Sequence, residues 1–210
     1  MQYFGSIYIY LKFNNSAFGP IFLSDTYKKT MHLNRTWLMG PNKVIGLSVP
    51  LAGGRQNMQP VKEVKIAGDR SWSRVHWRTI HDCYRKAPWF ENYCDTLQSL
   101  YEAPPLFLWE WNYMCMEWAL DQIKEFNVIL SEFENIDHNQ RIQDASDKPL
   151  FNPPADHPSY LQVFSDRHGF VSNLSILDLL FNEGPLAYEY LNRLSFYLIS
   201  NIPANEKGKL

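Results

Sequence analysis

Apolar and polar positions recur along this chain with two periods, near 3.6 and near 2, and the changes of period mark its elements. Tyr3, Phe4, Ile7, Tyr8 and Leu11 fall at helical spacing and predict a first amphipathic helix; the same aromatic and β-branched residues also suit a strand. Gly19-Pro20 breaks that segment, and Ile21–Ser24 reads as a short buried strand. Thr36–Met39 and Val44–Leu51 flank Gly40-Pro41-Asn42-Lys43, the pattern of a hairpin. Val61, Val64 and Ile66 predict another strand, closed by Gly68-Asp69.

The second half is mostly helical in pattern. A helix is expected from Ser71, whose hydroxyl can cap it, to about Lys86. Pro88 separates it from a helix carrying Phe90, Tyr93, Leu97, Leu100 and Tyr101. After Pro104-Pro105, a stripe of Leu106, Trp109, Tyr113, Met116, Leu120 and Ile123 predicts a third. Val128–Leu130 reads as a strand, Asp137–Pro158 as a long Pro-rich loop, and Leu161–Phe164 as a strand. A helix begins at Asn173 or Ser175 and stops at Gly184-Pro185. Leu186, Tyr190, Leu191 and Leu194 mark a last helix, and Asn205–Leu210 a loose tail. The expected fold class is α/β or α+β: one domain over residues 1–204, a small mixed sheet flanked by helices.

Composition narrows the function classes. The 210 residues are enough for one sizeable core. A net charge of −2 gives no global electrostatic case for nucleic acid or an anionic membrane surface. Cys83, Cys94 and Cys115 are odd in number and lack C-x-x-C spacing, as expected of reduced thiols in a cytoplasmic protein. Met1–Phe13 lacks the basic start of a secretory signal, and no apolar run reaches the roughly 20 residues of a membrane span.

The helix from Ser71 carries the best local case for chemistry. Arg70, Arg74, Arg78, His81 and Arg85 share one face; Trp72, His76, Thr79, Ile80 and Cys83 share the other. His76 is therefore expected to turn inward, either as an acid–base group or as a core imidazole paired to a carbonyl. The arginine face can hold phosphate or carboxylate through guanidinium forks, or can simply be solvated. His76 and His81 lie on different faces, and His157 and His168 match no ligand spacing, so no metal is expected. Lys28, Lys29, Asn34 and Arg35 are placed to face a ligand at a strand end, or solvent. Gly53-Gly54-Arg55 lacks phosphate-loop spacing, and no G-x-S-x-G elbow is present. Asp178, three residues after Ser175, is either a first-turn acid facing the helix dipole or a catalytic carboxylate. Asn173 and Asn182 divide similarly between capping and ligand contact.

Several of these stretches together resemble the WbqC-like family of bacterial proteins, in its shorter, Bacteroidetes-type branch. The most specific is Tyr160–Phe164 followed by Gly169–Pro185 (GFVSNLSILDLLFNEGP). Lys28 followed by Asn34-Arg35, the apolar Leu47–Leu51, and Trp72, His76, Ile80, Tyr84, Ala87-Pro88, Phe90 and Tyr93 also fit the family pattern. The family pattern places a strand and a proline-containing turn before the stretch matching Gln2-Tyr3-Phe4; this chain is expected to lack that strand or to start at a misassigned codon. The family's setting among O-antigen and surface-polysaccharide genes implies a cytoplasmic, transferase-type enzyme acting on an amino-sugar or sugar nucleotide. The alternative is a non-catalytic partner in a polysaccharide assembly complex. The residues the resemblance marks are His76 and Asp178 as catalysts, with Lys28, Arg35 and Asn173 as substrate contacts. No cofactor is implied.

Overall fold

A computed structural model of the chain describes residues 2–14, 25–53, 59–123, 149–151 and 153–201. The expected strands at Ile21–Ser24 and Val128–Leu130, the tail at Asn205–Leu210, most of the loop from Asp137, and Gly54-Arg55 lie outside the described residues. The described helices are α1 (Ile7–Asn14), α2 (Ser71–Tyr84), α3 (Phe90–Glu102), α4 (Leu108–Gln122), α5 (Ser165–His168), α6 (Ile176–Glu183) and α7 (Ala187–Ser200). The strands are β1 (Arg35–Met39), β2 (Val44–Ser48), β3 (Leu150–Phe151) and β4 (Val171–Ser172). The fold is thus mixed α and β, and both strand pairs, β1–β2 and β3–β4, are antiparallel.

The hairpin forms where its pattern placed it. Met39 pairs with Val44, and the Gly40 N–H donates to the Lys43 carbonyl at 3.0 Å. Opposite Trp37 stands Gly46, where an added Cβ would come within 2.6 Å of the indole, so the ring lies directly on bare backbone.

Helix α6 is the centre of the molecule. Its Ile176, Leu177, Leu179, Leu180 and Phe181 are all fully buried, as expected of a helix apolar on every side. It packs against α1, α3, α4, α7 and β1. The Ser175 hydroxyl accepts the Leu177 N–H at its start, and Gly184, with φ of 53°, ends it. Residues 2–6 thread beside it: the Ile7 N–H donates to Leu174, the Ile176 N–H to Gly5, and Thr36 Oγ1 to the Phe4 carbonyl.

Five local expectations are corrected. Tyr3 and Phe4 precede α1 because their backbone groups bond to Leu33 and to Thr36 and Ser175 instead of continuing a helix. Val61–Glu63 is a 3₁₀ turn after Pro60, and only isolated bridges, Leu51 with Ile66 and Lys65 with Phe107, replace the expected strand. Asp69, and not Ser71, caps α2: its carboxylate accepts the Ser71 N–H at 2.8 Å and the Ser71 hydroxyl at 2.7 Å. Residues 161–164 form no strand, because the Gln162 carboxamide itself takes a strand partner's place, bonding both N–H and C=O of Val171 at 2.9 Å. The loop expected up to Pro158 also contains β3.

Candidate functional site

His76 turns inward, as the periodicity of α2 requires, and is 6% exposed. Its Nδ1 lies 3.0 Å from the Tyr3 hydroxyl, which also meets the Tyr101 hydroxyl at 2.8 Å. The imidazole stacks on Tyr3 and takes the edge of Trp72. Burial in this aromatic box pushes its pKa down to about 4, so the ring is neutral at neutral pH. Lys28 is exposed beside the 3₁₀ turn Lys29–Met31. Arg35 is half-buried at the start of β1, where its charge opposes the rise that burial imposes on the Tyr27 phenol. Among the described residues, no hydrogen bond or ion pair joins either cation to His76.

Asp178 occupies a second buried position and is fully enclosed. Its carboxylate accepts from the Tyr84 hydroxyl at 2.8 Å, the Tyr160 hydroxyl at 2.6 Å and Gln162 Nε2 at 2.8 Å. Burial raises its pKa, and the three donors act against that rise. Tyr84 in turn accepts the Met39 N–H, so one carboxylate links α6, α2, β1 and the segment around Tyr160. Asn173, at φ 57°, accepts the Tyr8 N–H on its Oδ1 and so serves the open donors of α1. Asn182 donates to the Asp178 carbonyl within α6.

One polar cluster was not foreseen beyond the absence of metal spacing. His157 Nδ1 lies 2.6 Å from the Pro158 carbonyl, which can only accept, so the proton sits on Nδ1. Nε2 is then the acceptor for the hydroxyls of Tyr8 and Ser172, each at 3.1 Å. Burial lowers the pKa of this imidazole, against the Pro158 hydrogen bond and Asp156. Ser172 has no exposure, so the cluster holds α1 to β4 and offers no open nucleophile.

The outer face of α2 is different in kind. Arg74, Arg78, His81 and Arg85 line a cleft of about 670 Å³ between α2 and α3. At 1.5 Å per residue, these cations are spread along roughly 16 Å of helix. The floor is aromatic: Trp77 stacks on Phe90 with centroids 6.2 Å apart, and His81 meets the Phe90 ring edge-on. Among the described residues none of the three guanidiniums has an ion-pair or hydrogen-bond partner. His81 Nδ1 lies 3.6 Å from Asp82. Arg70, expected on this face, does not line the cleft. Cys94 at the rim is held as a thiol, its pKa raised by burial and by Asp95. None of Lys28, Arg35, His76, Asn173 and Asp178 lines this cleft.

Among the described residues no group of three His, Cys, Asp or Glu side chains is placed to hold a metal, and no helix is long and apolar enough to cross a membrane. A family model matches residues 21–147 and 131–190. No curated protein and no solved structure matches. The matched segments take in α2 with its two faces, the hairpin and the Asp178 network, and on them the chain belongs to the WbqC-like protein family.

Proposed function

We propose that this protein is a cytoplasmic, transferase-type enzyme that modifies a sugar precursor of a bacterial surface polysaccharide such as O-antigen. The substrate it holds is phosphorylated, a sugar phosphate or sugar nucleotide, and it lies on the outer face of α2. The observation that carries this reading is the row of guanidiniums, without a partner among the described residues, over the stacked Trp77 and Phe90 rings. Guanidinium forks bind phosphate oxygens bidentately, and a ring floor offers stacking area to a base or sugar. His81, between Arg78 and Arg85 in sequence and in the same cleft, is a group in reach for proton transfer, and the Asp82 and Glu91 carboxylates also line the cleft.

Catalytic roles for His76 and Asp178 receive less support from the geometry. Asp178 has its carboxylate engaged by three buried donors, and His76 has its Nδ1 engaged by Tyr3 in an aromatic box. The reading gives them the task of fixing α2 in place. Lys28, Arg35 and Asn173 remain as further contacts only for a substrate large enough to leave the cleft.

The test is calorimetric titration of the whole protein with a nucleoside diphosphate hexose, a hexose 1-phosphate and the unphosphorylated hexose. The phosphorylated ligands should bind and the free hexose should not bind at this cleft. Removing one guanidinium, as in Arg78→Ala, should weaken phosphate binding about ten- to a hundredfold, because a charge-assisted hydrogen bond contributes roughly 1.5–3 kcal/mol. Equal binding by wild type and Arg78→Ala would remove the cleft from the mechanism. Absence of any phosphate-dependent binding would favour the alternative, a non-catalytic member of an assembly complex that uses this face as a protein contact.

A further inference from the structure

We infer that a second cleft, between α3, the end of α4 and the start of α7, binds a pyranose ring or similar hydroxyl-rich ligand without phosphate. This inference stands on the cleft's own lining and does not rest on the reading of the α2 face. The cleft measures about 370 Å³, and Trp89, Asn92, Tyr93, Asp121, Gln122 and Tyr188 line it. That volume lies within the range of about 300–1,000 Å³ usual for small-ligand sites.

The chemistry of the lining selects the ligand. Of the seven lining residues three are aromatic, three are polar and the seventh is Pro185; no Lys or Arg lines the cleft. A phosphate would therefore meet the Asp121 carboxylate with no counter-charge beside it, the reverse of the α2 cleft. The polar groups are rich in acceptors. Gln122 Nε2 is held by the Trp118 carbonyl at 3.0 Å, which leaves the amide oxygen unused. Asn92 and Asp121 make no side-chain hydrogen bond or ion pair among the described residues. Two carboxylate oxygens, two amide oxygens and one free amide NH₂ match a ligand whose hydroxyls both donate and accept. A pyranose has such hydroxyls around its rim and apolar C–H faces that lie against rings. A quaternary ammonium would suit the rings and Asp121 but leave both carboxamides unmatched.

The ring platform is preorganised. The Trp89 N–H donates to the Phe181 carbonyl at 3.0 Å, and its indole lies flat on Gly184. A Cβ at Gly184 would come within 2.4 Å of the indole, and the φ of 53° there also favours glycine. The residue that stops α6 thus also seats the platform, so the ring loses little freedom when a ligand arrives.

The experiment is saturation-transfer NMR with the full chain and a panel of neutral methyl hexopyranosides and methyl N-acetylhexosaminides. Choline and inorganic pyrophosphate serve as contrasts. At least one glycoside should bind saturably below about 50 mM, a ceiling suited to the few contacts of one ring, and pyrophosphate should not displace it. Asn92→Ala and Asp121→Ala alter exposed side chains and leave folding intact; each should weaken glycoside binding about fivefold or more. Displacement by pyrophosphate would place the sugar on the α2 face and overturn this site. So would choline binding more tightly than every glycoside, no glycoside binding, or both variants binding as wild type does.

Discussion

The two faces of α2 carry similar kinds of side chain and put them to opposite uses. Inside, His76 is engaged by Tyr3, and Tyr84 by Asp178 and Met39. Outside, Arg74, Arg78 and Arg85 stand over two stacked rings with no partner among the described residues. A polar group enclosed in a core is costly to leave unpaired, and the Asp178 carboxylate is met there by three donors. Its bonding capacity is then unavailable to a ligand. The outer cations have surrendered nothing to the fold. The difference separates buried polar groups tied into the fold from an exposed row left open, and the proposed substrate site rests on the second.

The sharpest way to break that contrast is Asp178→Ala. It removes the acceptor for two phenols and one carboxamide at once. Each buried donor left unpaired costs on the order of 1–3 kcal/mol, so the variant should lose about 3–5 kcal/mol in urea unfolding. Tyr84→Phe, which forfeits one of the three donors and also the acceptor of the Met39 N–H, should lose about 2–3 kcal/mol. A loss under about 1 kcal/mol for Asp178→Ala would mean that the carboxylate is not needed by the fold and is free for chemistry.

His76 offers the next largest effect, and its sign is fixed. Its pKa in the folded protein is about 4, against an ordinary 6.5. The unfolded chain therefore takes up the proton first as pH falls. Above pH 6.5 the ring is neutral in both states and contributes no pH dependence. Between pH 6.5 and 4 the native state should lose roughly 3 kcal/mol, and below 4 no more, since one pKa unit corresponds to about 1.4 kcal/mol. Asp178, its pKa raised by burial, acts in the opposite sense over its own range above 3.8. The measurement is thus the difference between wild type and His76→Gln. That difference should carry the slope; a variant as steep as wild type would place the imidazole in contact with solvent protons.

Periodicity made the two faces of α2 legible because burial repeats every turn and needs no knowledge of the partner. The hairpin and the ends of α6 were legible for the same local reason: Gly40–Lys43, Ser175 and Gly184 act on their immediate neighbours. What stayed hidden was long-range. Asp178 looks from its spacing like a first-turn acid serving its own helix, yet it accepts from Tyr84, 94 residues away. Gln162 lies in an apolar run that reads as strand, and only the fold shows its side chain standing in for a backbone. How Lys28 and Arg35 stand to His76 is a matter of tertiary placement, which pattern does not encode. The Trp89 platform depends on Gly184, 95 positions later by sequence number, and each residue alone reads as a helix boundary.

The smallest expected effect tests the outer face. Arg74 and Arg78 lie four residues apart on one helix, where like charges destabilise by a few tenths of a kcal/mol. Arg78→Ala should therefore leave the urea midpoint within about 0.5 kcal/mol of wild type, or slightly raise it, since exposed substitutions away from any contact are nearly neutral. The same variant should weaken phosphate binding about ten- to a hundredfold, from the worth of a charge-assisted hydrogen bond. Binding and stability should thus separate on this face, whereas on the inner face they cannot. If Arg78→Ala instead lost more than about 1 kcal/mol of stability, the guanidinium would be serving the fold. The distinction between engaged and unengaged polar groups, and with it the placement of substrate on α2, would then fail.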